Sequence, residues 1–477
     1  MSEDDYDAFE SQDPSSYDLT LDPEQMRALG HQIVDLTIDH LMTLRDRPAI
    51  SVASNELLRT QLGGPAPEGP GDIAGDLNLL AHLALENQQH GDHPRYFARV
   101  PSPSSFAAIA GDWLATGMDS VASSWGGGSG PSAIELITLE WLRDRIGLNS
   151  QCEGIMLSGG SMASITALIT ARDIKGEGCI YLSDQTHSSI TRGIKAIGIP
   201  DALVRVIPTD KHLRIDVAQM REQIAIDRTS GLIPTVVIAT AGTTNTGAVD
   251  DIEAIAEICQ SENMWFHVDG AYGGPAALTA RGKAVMPGLA RANSFVLDPH
   301  KWLFSPYDIA CLWVSDPDAL EKTFAMYPEY LKDVSDGTVN FHNRSLELSR
   351  RSRAIKLWLT IRTYGFIKIG AAIDRGIVLA EYAETVIQST PELKVVTPAQ
   401  LGIVTFTFNE QCDLAAIARE LTESGFAALT TTSLKGQEVL RLCIINPATT
   451  ELDVSETLKR LVQIYHLRAD KSVESVV

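Results

Sequence analysis

Residues 265–274 read WFHVDGAYGG and residues 294–304 read SFVLDPHKWLF, and these two stretches decide the fold. Each opens with a short apolar run, which is typical of a buried strand. The first run ends at Asp269, and the second is followed by Asp298 and Lys301. Because α/β sheets bind their ligands beyond the carboxyl ends of their strands, we expect Asp269 and Lys301 to share one ligand-binding edge.

Short apolar runs alternate with longer helical stretches from about residue 102 to residue 354. Buried strands that alternate with helices predict an α/β domain with a largely parallel sheet. The predicted strands are Gly154–Leu157, Cys179–Leu182, Leu203–Ile207, Thr235–Ala239, Trp265–Val268, Ser294–Leu297 and Ala310–Val314. The predicted helices are Ala107–Met118, Ala133–Ile146, Met162–Arg172 and Ile252–Glu262.

The regions on either side of this large domain differ from it in composition. Residues 1–20 are acidic and rich in serine, so we predict a disordered tail. Residues 21–100 are predicted to form a helical arm, with a Pro/Gly loop at 63–71 between two helices. The large domain is expected to span 101–355, and residues 356–477 to form a small α+β domain with strands Ile403–Phe408 and Val439–Ile445.

The charge and cysteine content narrow the class of protein. The formal net charge of −22 disfavours a nucleic-acid partner, because such a surface repels phosphate backbones. The six cysteines form no CxxC pair, so neither a disulfide framework nor a zinc site is expected. The acidic N-terminus has no basic start, and no run of 18 apolar residues exists. We therefore expect a cytoplasmic protein that neither binds a metal nor associates with a membrane.

The stretch Ser158-Gly-Gly-Ser161 lies between a predicted strand and a predicted helix. Glycine lets the backbone approach a ligand closely, and free N–H groups at a helix N-terminus favour an anion. The alternative is an ordinary strand–helix turn with a serine cap. Gly160 and Ser161 are therefore candidate phosphate-binding residues.

Asp269 and Lys301 are the candidate reactive groups. A carboxylate at a strand end can keep a nearby ring nitrogen protonated, although a capping role or a metal site with His267 would also suit Asp269. Lys301 stands among apolar residues, which predicts a lowered pKa and a lysine able to form an imine; otherwise it is an exposed loop charge. With the Gly160–Ser161 stretch, the two residues match the phosphate, ring nitrogen and aldehyde of pyridoxal 5′-phosphate (PLP).

Taken together, these motifs resemble the group II PLP-dependent decarboxylases, which include the aromatic-L-amino-acid, histidine and animal-type glutamate decarboxylases. The resemblance runs from about His93 to the C-terminus, with order and spacing kept. It implies fold-type I, an aspartate aminotransferase-like fold, and a homodimer with its active site at the interface. The matching segments are His93–Phe97, Ser158–Arg172, Ser183–Ser189, Ala239–Asp251, His267–Gly274, Asp298–Leu303, Tyr327–Leu331 and Arg350–Trp358.

The resemblance also implies individual roles. Lys301 would carry the cofactor as an imine, Asp269 would bind the ring nitrogen, and Gly160 and Ser161 would hold the phosphate. The remaining implied roles are His187 and Ala271 on the two faces of the ring, Thr244 near the imine, His300 shaping the site, and Tyr330 as the proton donor of a mobile loop. With Lys301 and Asp269, His187 and Tyr330 complete the predicted catalytic set.

The sequence also departs from the family pattern. Asp298 replaces an asparagine of the animal aromatic enzymes; as a carboxylate near the phosphate it would repel that group, so we keep it as a cofactor-site candidate only. Ser123 stands where aromatic decarboxylases place an aromatic side chain, next to the aliphatic Val121, which weakens the prediction of an aromatic substrate. Arg95 and Ser349 give conflicting indications about the substrate.

The predicted function is PLP-dependent decarboxylation of an L-amino acid to an amine and CO₂, with tyrosine, DOPA or tryptophan favoured as substrate. The presence of His187 and Tyr330 argues against the aldehyde-synthase branch of the family, in which one of the two is usually changed. Three alternatives stay open: a non-aromatic substrate (glutamate, aspartate or 2,4-diaminobutyrate), another fold-type I reaction such as an aminotransferase or lyase, and a non-catalytic binding homologue.

Overall fold

The computed structural model describes residues 18–326 and 338–474. The chain divides into two compact units, one ending at Gln89 and the other beginning at His90. Within the described ranges, no helix combines the length and the apolar character needed to cross a bilayer. All six cysteines are free thiols.

The smaller unit is helical, as predicted for the arm. Its helices are α1 (Pro23–Thr43), α2 (Asn55–Leu62) and α3 (Ile73–Leu79), followed by a π-helical turn over Leu80–Ala84. Asp22 caps α1 by accepting hydrogen bonds from the backbone N–H groups of Glu24 and Gln25. None of the residues in these three described helices is buried within the chain, although their sequences carry many apolar side chains.

The larger unit is built around a seven-stranded sheet with strand order β1-β7-β6-β5-β4-β2-β3. Neighbouring strands pair in parallel except at β7, which is antiparallel to β1 and β6. This confirms the predicted α/β fold with a mostly parallel sheet. The strands are β1 (Glu153–Leu157), β2 (Cys179–Ser183), β3 (Val204–Ile207), β4 (Pro234–Thr240), β5 (Trp265–Asp269), β6 (Ser294–Leu297) and β7 (Ala310–Val314).

Helices precede and connect these strands. The central strands β4 and β5 are buried along their whole length, which explains their mostly apolar sequences. The helices are α4 (Phe106–Gly117), α5 (Trp125–Ile146), α6 (Gly160–Lys175), α7 (Ser188–Ala196), α8 (Val217–Thr229), α9 (Ile252–Ser261), α10 (Ala280–Val285), α11 (Pro299–Trp302) and α12 (Ala319–Phe324).

A long helix, α13 (Ala354–Ser389), leads into the C-terminal part and is broken at Gly365, whose φ of 69° is left-handed. Four antiparallel strands follow in the order β10-β11-β9-β8, together with two helices. They form the predicted small α+β layer. These elements are β8 (Leu393–Gln400), β9 (Ile403–Phe408), α14 (Leu414–Glu423), β10 (Thr430–Leu434), β11 (Gln437–Cys443) and α15 (Glu451–Glu474).

A buried ion pair joins α5 to the sheet. The guanidinium of Arg350 lies 2.8 Å from the Glu135 carboxylate, and both side chains are 0% exposed. Glu135 also accepts a hydrogen bond of 2.8 Å from the Met156 backbone N–H in β1. Arg350 donates to the carbonyl oxygens of Ala122 and Met156. One buried pair therefore fixes α5, β1 and the segment before α5.

Arg350→Met is expected to lower the free energy of unfolding by about 3–5 kcal/mol, because it leaves the Glu135 carboxylate buried without its cation. Urea unfolding measures the loss. Arg351→Met is the matched control: Arg351 is 41% exposed in its ion pair with Asp112, so its loss should cost below about 1 kcal/mol. Equal losses in both variants would contradict the assignment. Adding Glu135→Leu to Arg350→Met should recover much of the stability.

Candidate active site

A cavity of about 400 Å³ opens at the carboxyl edge of the parallel strands. Parallel pairing aligns the strand ends there: Thr240 of β4 is paired with Asp269 of β5. The cavity contains the predicted residues Gly160, Ser161, His187, Thr244, Asp269, Ala271, Asp298, His300 and Lys301. The fold thus brings together every predicted site residue that lies within the described ranges.

The N-terminus of α6 forms one wall of the cavity. Its capping residue is Gly159, which provides no side-chain cap, and Ser161 lies inside the first turn. The serine-cap alternative is therefore wrong, and the backbone N–H groups of this turn are left for a ligand. A Cβ at Gly160 would lie 3.0 Å from the Cβ of Ala271 and 2.9 Å from an Asp298 oxygen, so a side chain at this position would have to displace these neighbours.

Asp269 ends β5 at the floor of the cavity and is 6% exposed. Its Oδ1 accepts a 3.0 Å hydrogen bond from the Ala271 backbone N–H, which fixes the carboxylate relative to the strand end. His267 lies 2.8 Å from the Ser294 hydroxyl and is not among the residues that line the cavity. Burial lowers the pKa of His267 to about 4. The predicted alternative of a metal site shared by these two residues therefore receives no support.

Lys301 lies on α11, with Nζ 3.0 Å from Oδ2 of Asp298. The prediction of a lowered pKa is wrong. Burial alone would lower the pKa of Lys301, but the carboxylates of Asp298 and Asp269 oppose burial and raise it above its ordinary value. The sequence argument considered the apolar neighbours along the chain and omitted these two carboxylates.

His300 precedes the lysine on α11. Its Nδ1 accepts a 3.3 Å hydrogen bond from the Ile309 backbone N–H, which places the ring proton on Nε2, 3.5 Å from Oδ2 of Asp298. Burial lowers the pKa of His300, so the ring is neutral near pH 7. The Ser102 hydroxyl donates a 2.5 Å hydrogen bond to the His300 carbonyl oxygen, which anchors the turn that carries Lys301.

His187 caps α7 and lines the cavity. Its Nδ1 accepts a hydrogen bond from the Ser189 backbone N–H at 3.3 Å and lies 2.7 Å from the Ser189 hydroxyl. Burial and then the charge of Lys301 lower the pKa of His187. The imidazole is therefore neutral near pH 7, with its proton on Nε2.

Sequence reasoning assigned no role to several residues that shape this cavity. Ser189 orients His187, and the string His-Ser-Ser before a helix was the available signal. Tyr272 stacks on Trp302 with ring centroids 5.4 Å apart, and its hydroxyl accepts a hydrogen bond from the Gly402 N–H. Further lining residues without a predicted role are Ser158, Gly159, Met162, Ile165, Thr240 and Gly242.

The other predicted positions lie elsewhere. Tyr330 is outside the described residues, so its role stays a prediction. Arg95 donates to the Phe426 carbonyl oxygen at 2.7 Å and stacks over the Phe426 ring, which is a structural role. The Ser123 hydroxyl accepts a 3.0 Å hydrogen bond from the Arg350 N–H. Val121 and Ser349 are exposed.

The residues present fit PLP. The uncapped first turn of α6, where a Cβ at Gly160 would fill the available space, suits a phosphate. Asp269 offers a carboxylate for a ring nitrogen, and Lys301 offers an amine for an aldehyde. The phosphate, the ring nitrogen and the aldehyde of the cofactor each have a chemically matched partner in one cavity.

Comparison with known proteins agrees with this chemistry. A family profile described as "Pyridoxal-dependent decarboxylase conserved domain" matches residues 67–409. The "Aromatic-L-amino-acid decarboxylase" of Bacillus atrophaeus is 42% identical over 96% of this chain and 98% of that protein. The "Phenylacetaldehyde synthase" of Arabidopsis thaliana is 32% identical over 92% of this chain and 95% of that protein. The crystal structure of Oryza sativa TDC with PLP and tryptamine matches with a TM-score of 0.89 and 27% identity, covering 94% of this chain and 99% of that one.

Proposed function

Because the chain belongs to the pyridoxal-dependent decarboxylase family, we propose that it converts an aromatic L-amino acid into the corresponding amine and CO₂. The chain is a carboxy-lyase whose cofactor is pyridoxal 5′-phosphate. When bound, this cofactor supplies an electron sink for the pair left on the α-carbon as CO₂ departs. The observation that carries the proposal is the meeting of Lys301, Asp269 and the α6 N-terminus in one cavity.

In this proposal Lys301 binds the aldehyde carbon of the cofactor, and Gly160 and Ser161 bind its phosphate through the first turn of α6. Thr244 lines the same cavity and is proposed to lie near the imine, and its carbonyl oxygen accepts a 2.8 Å hydrogen bond from Arg441. His300 positions the lysine through the turn that Ser102 anchors. Asp298 contacts the lysine itself.

Asp269 holds a proton on the ring nitrogen in this proposal. A carboxylate a few ångströms from a titrating nitrogen favours its charged form, and low exposure strengthens that effect. The bond from the Ala271 N–H keeps the carboxylate aligned with the end of β5. Asp269 is therefore the residue that keeps the electron sink available.

His187 and Ala271 are proposed to enclose the flat ring. A neutral imidazole suits this role because it adds no further positive charge beside the cofactor ring, and Ser189 holds its orientation. Ala271 is small enough to leave room for a ring next to Asp269. Water exclusion between these two side chains strengthens the electrostatic effect of Asp269.

An aromatic substrate is the choice that the family relatives favour: the similar proteins include an aromatic-L-amino-acid decarboxylase, and a matching structure contains tryptamine. Ser123 does not supply an aromatic surface, and its hydroxyl is engaged by Arg350. Stacking for the substrate must therefore come from other residues.

We also propose a homodimer and a cytoplasmic location. Helices α1 to α3 bury none of their described residues, while Met26 is 47% exposed and Met42 is 77% exposed, so a second subunit would cover apolar surface. The free cysteines suit a reducing compartment. The proposed chemistry uses no metal ion.

The test is a screen that measures CO₂, amine, aldehyde and keto acid together. We expect stoichiometric CO₂ and amine from tyrosine, DOPA, tryptophan or 5-hydroxytryptophan, with rates at least tenfold above those with glutamate, aspartate and 2,4-diaminobutyrate. Aldehyde with ammonia in place of amine would assign the chain to the aldehyde-synthase activity that one relative is named for. Keto acid without CO₂ would refute decarboxylation.

A further inference from the structure

Asp298 occupies an unusual place for a carboxylate. It is 2% exposed, and both of its oxygens approach the first turn of α6: a Cβ at Gly160 would lie 2.9 Å from Oδ2 and 3.0 Å from Oδ1. This turn is the uncapped helix N-terminus to which the proposed function assigns the phosphate. A buried acidic side chain and an anionic group are therefore assigned to the same end of one cavity.

The two oxygens of Asp298 have different surroundings. Oδ2 lies 3.0 Å from Nζ of Lys301 and 3.5 Å from Nε2 of His300. Oδ1 is buried and has no hydrogen-bond partner within the part of the chain that the structure describes. A buried ionised oxygen without a partner is costly, whereas a protonated one could donate a hydrogen bond to an acceptor.

We propose that Asp298 carries a proton on Oδ1 when the phosphate of the cofactor is bound, and that it donates this proton in a hydrogen bond to the phosphate. The proton is taken up from solvent as the cofactor enters. A neutral acid can share the α6 N-terminus with a phosphate, whereas an ionised one would repel it. Asp298 is then a phosphate ligand in its acid form. This explains how an aspartate can occupy this position without repelling the phosphate.

The charges around Asp298 agree with this proposal. Its cationic partner is Lys301, and the proposed function uses the same Nζ to bind the cofactor, so this nitrogen would no longer be a free ammonium paired with the carboxylate. His300 is neutral near pH 7 because burial lowers its pKa. The charge of Asp298 also acts on two other titratable groups, His187 and Cys311. Asp269 belongs to the same group of charges because it acts, like Asp298, on Lys301.

Difference infrared spectroscopy reads the protonation state directly. We expect the spectrum of cofactor-loaded minus cofactor-free protein to contain a carboxylic-acid C=O band that shifts in D₂O. This band should vanish in Asp298→Asn and persist in Asp269→Asn, which removes the other carboxylate of the cavity. Absence of the band in the unaltered protein, or its survival in Asp298→Asn, would overturn the proposal.

Cofactor affinity gives a second, independent measurement, followed by the absorbance of the bound cofactor. Asparagine keeps a donor and the shape of the acid, so Asp298→Asn should bind the cofactor within about threefold of the unaltered protein or more tightly. Asp298→Ala lacks the donor and should bind it at least about tenfold more weakly. A tenfold loss in Asp298→Asn would mean that the ionised carboxylate is what the site needs.

The inference rests on the proposed cofactor site, and the outcomes separate the two. Unaltered protein that takes up no cofactor, shown by mass spectrometry after borohydride reduction, would overturn both the proposed site and the role of Asp298. Cofactor bound on Lys301 without an Asp298-dependent band would overturn the role of Asp298 alone.

Discussion

Lys301→Ala is expected to abolish decarboxylation, with a loss of about 10³-fold or more in kcat/KM, because the variant has no amine to bind the aldehyde of the cofactor. The same substitution should remove the visible absorbance that borohydride bleaches in the unaltered protein. Lys301 lines the cavity, and the charges of Asp298 and Asp269 both act on its amine. CO₂ release and mass spectrometry of the reduced protein are the two measurements.

Lys283→Ala is the matched control for this loss. Lys283 is an exposed lysine on α10 that does not line the cavity, so its removal should leave cofactor content and CO₂ release unchanged. Unfolding of Lys301→Ala would remove activity for another reason, and circular dichroism therefore accompanies the assay. A folded Lys301→Ala protein that still forms a reducible adduct and releases CO₂ at the normal rate would refute the assignment of this lysine.

The strand register explains why the sequence could locate most of the site. Asp269 pairs across the sheet with Thr240, and Asp298 follows β6 by one residue, so adjacent strand ends place these side chains at one edge. The ends of apolar runs in the sequence mark the strand ends. Because α/β sheets bind ligands beyond the carboxyl ends of their strands, the residues at these ends are predicted to form the site. This information is local, and local patterns suffice to predict it.

The local sequence around Lys301 could not reveal the charges that the fold brings close to it. The apolar residues around Lys301 in sequence suggested a lowered pKa, yet the carboxylates of Asp298 and Asp269 raise it. Asp298 is near in sequence, but its distance from Nζ depends on the turn of α11. The contribution of Asp269 depends on the pairing of β5 with β6, which no single stretch reveals.

The C-terminal sheet shows the same limit for secondary structure. Its central strands β9 and β11 carry clear apolar runs and were predicted, whereas the edge strands β8 and β10 were not. β8 reads LKVVTPAQ and β10 reads TTTSL, and most of their side chains are half-buried or exposed. Edge strands need not be apolar, so their pairing partners rather than their sequences define them.

Asp269→Asn is expected to lower kcat by about 10²–10³-fold while the cofactor stays bound. A carboxylate and a charged nitrogen about 4 Å apart attract each other by about 4 kcal/mol at an effective dielectric constant of 20, and about 1.4 kcal/mol corresponds to a tenfold change. Asparagine keeps an oxygen that can accept the Ala271 N–H, so the geometry of the strand end should survive. The measurement is the single-turnover rate of CO₂ release together with cofactor content.

A structural role and an electronic role of Asp269 predict different results. A structural role would reduce cofactor content and stability in Asp269→Asn, whereas an electronic role leaves both intact and lowers only the rate. Asp316→Asn, which removes an exposed carboxylate outside the cavity, should change neither. A single-turnover rate in Asp269→Asn within threefold of normal would show that another group protonates the ring nitrogen. Because Asp269 is the carboxylate fixed at the end of β5, we expect the rate alone to fall.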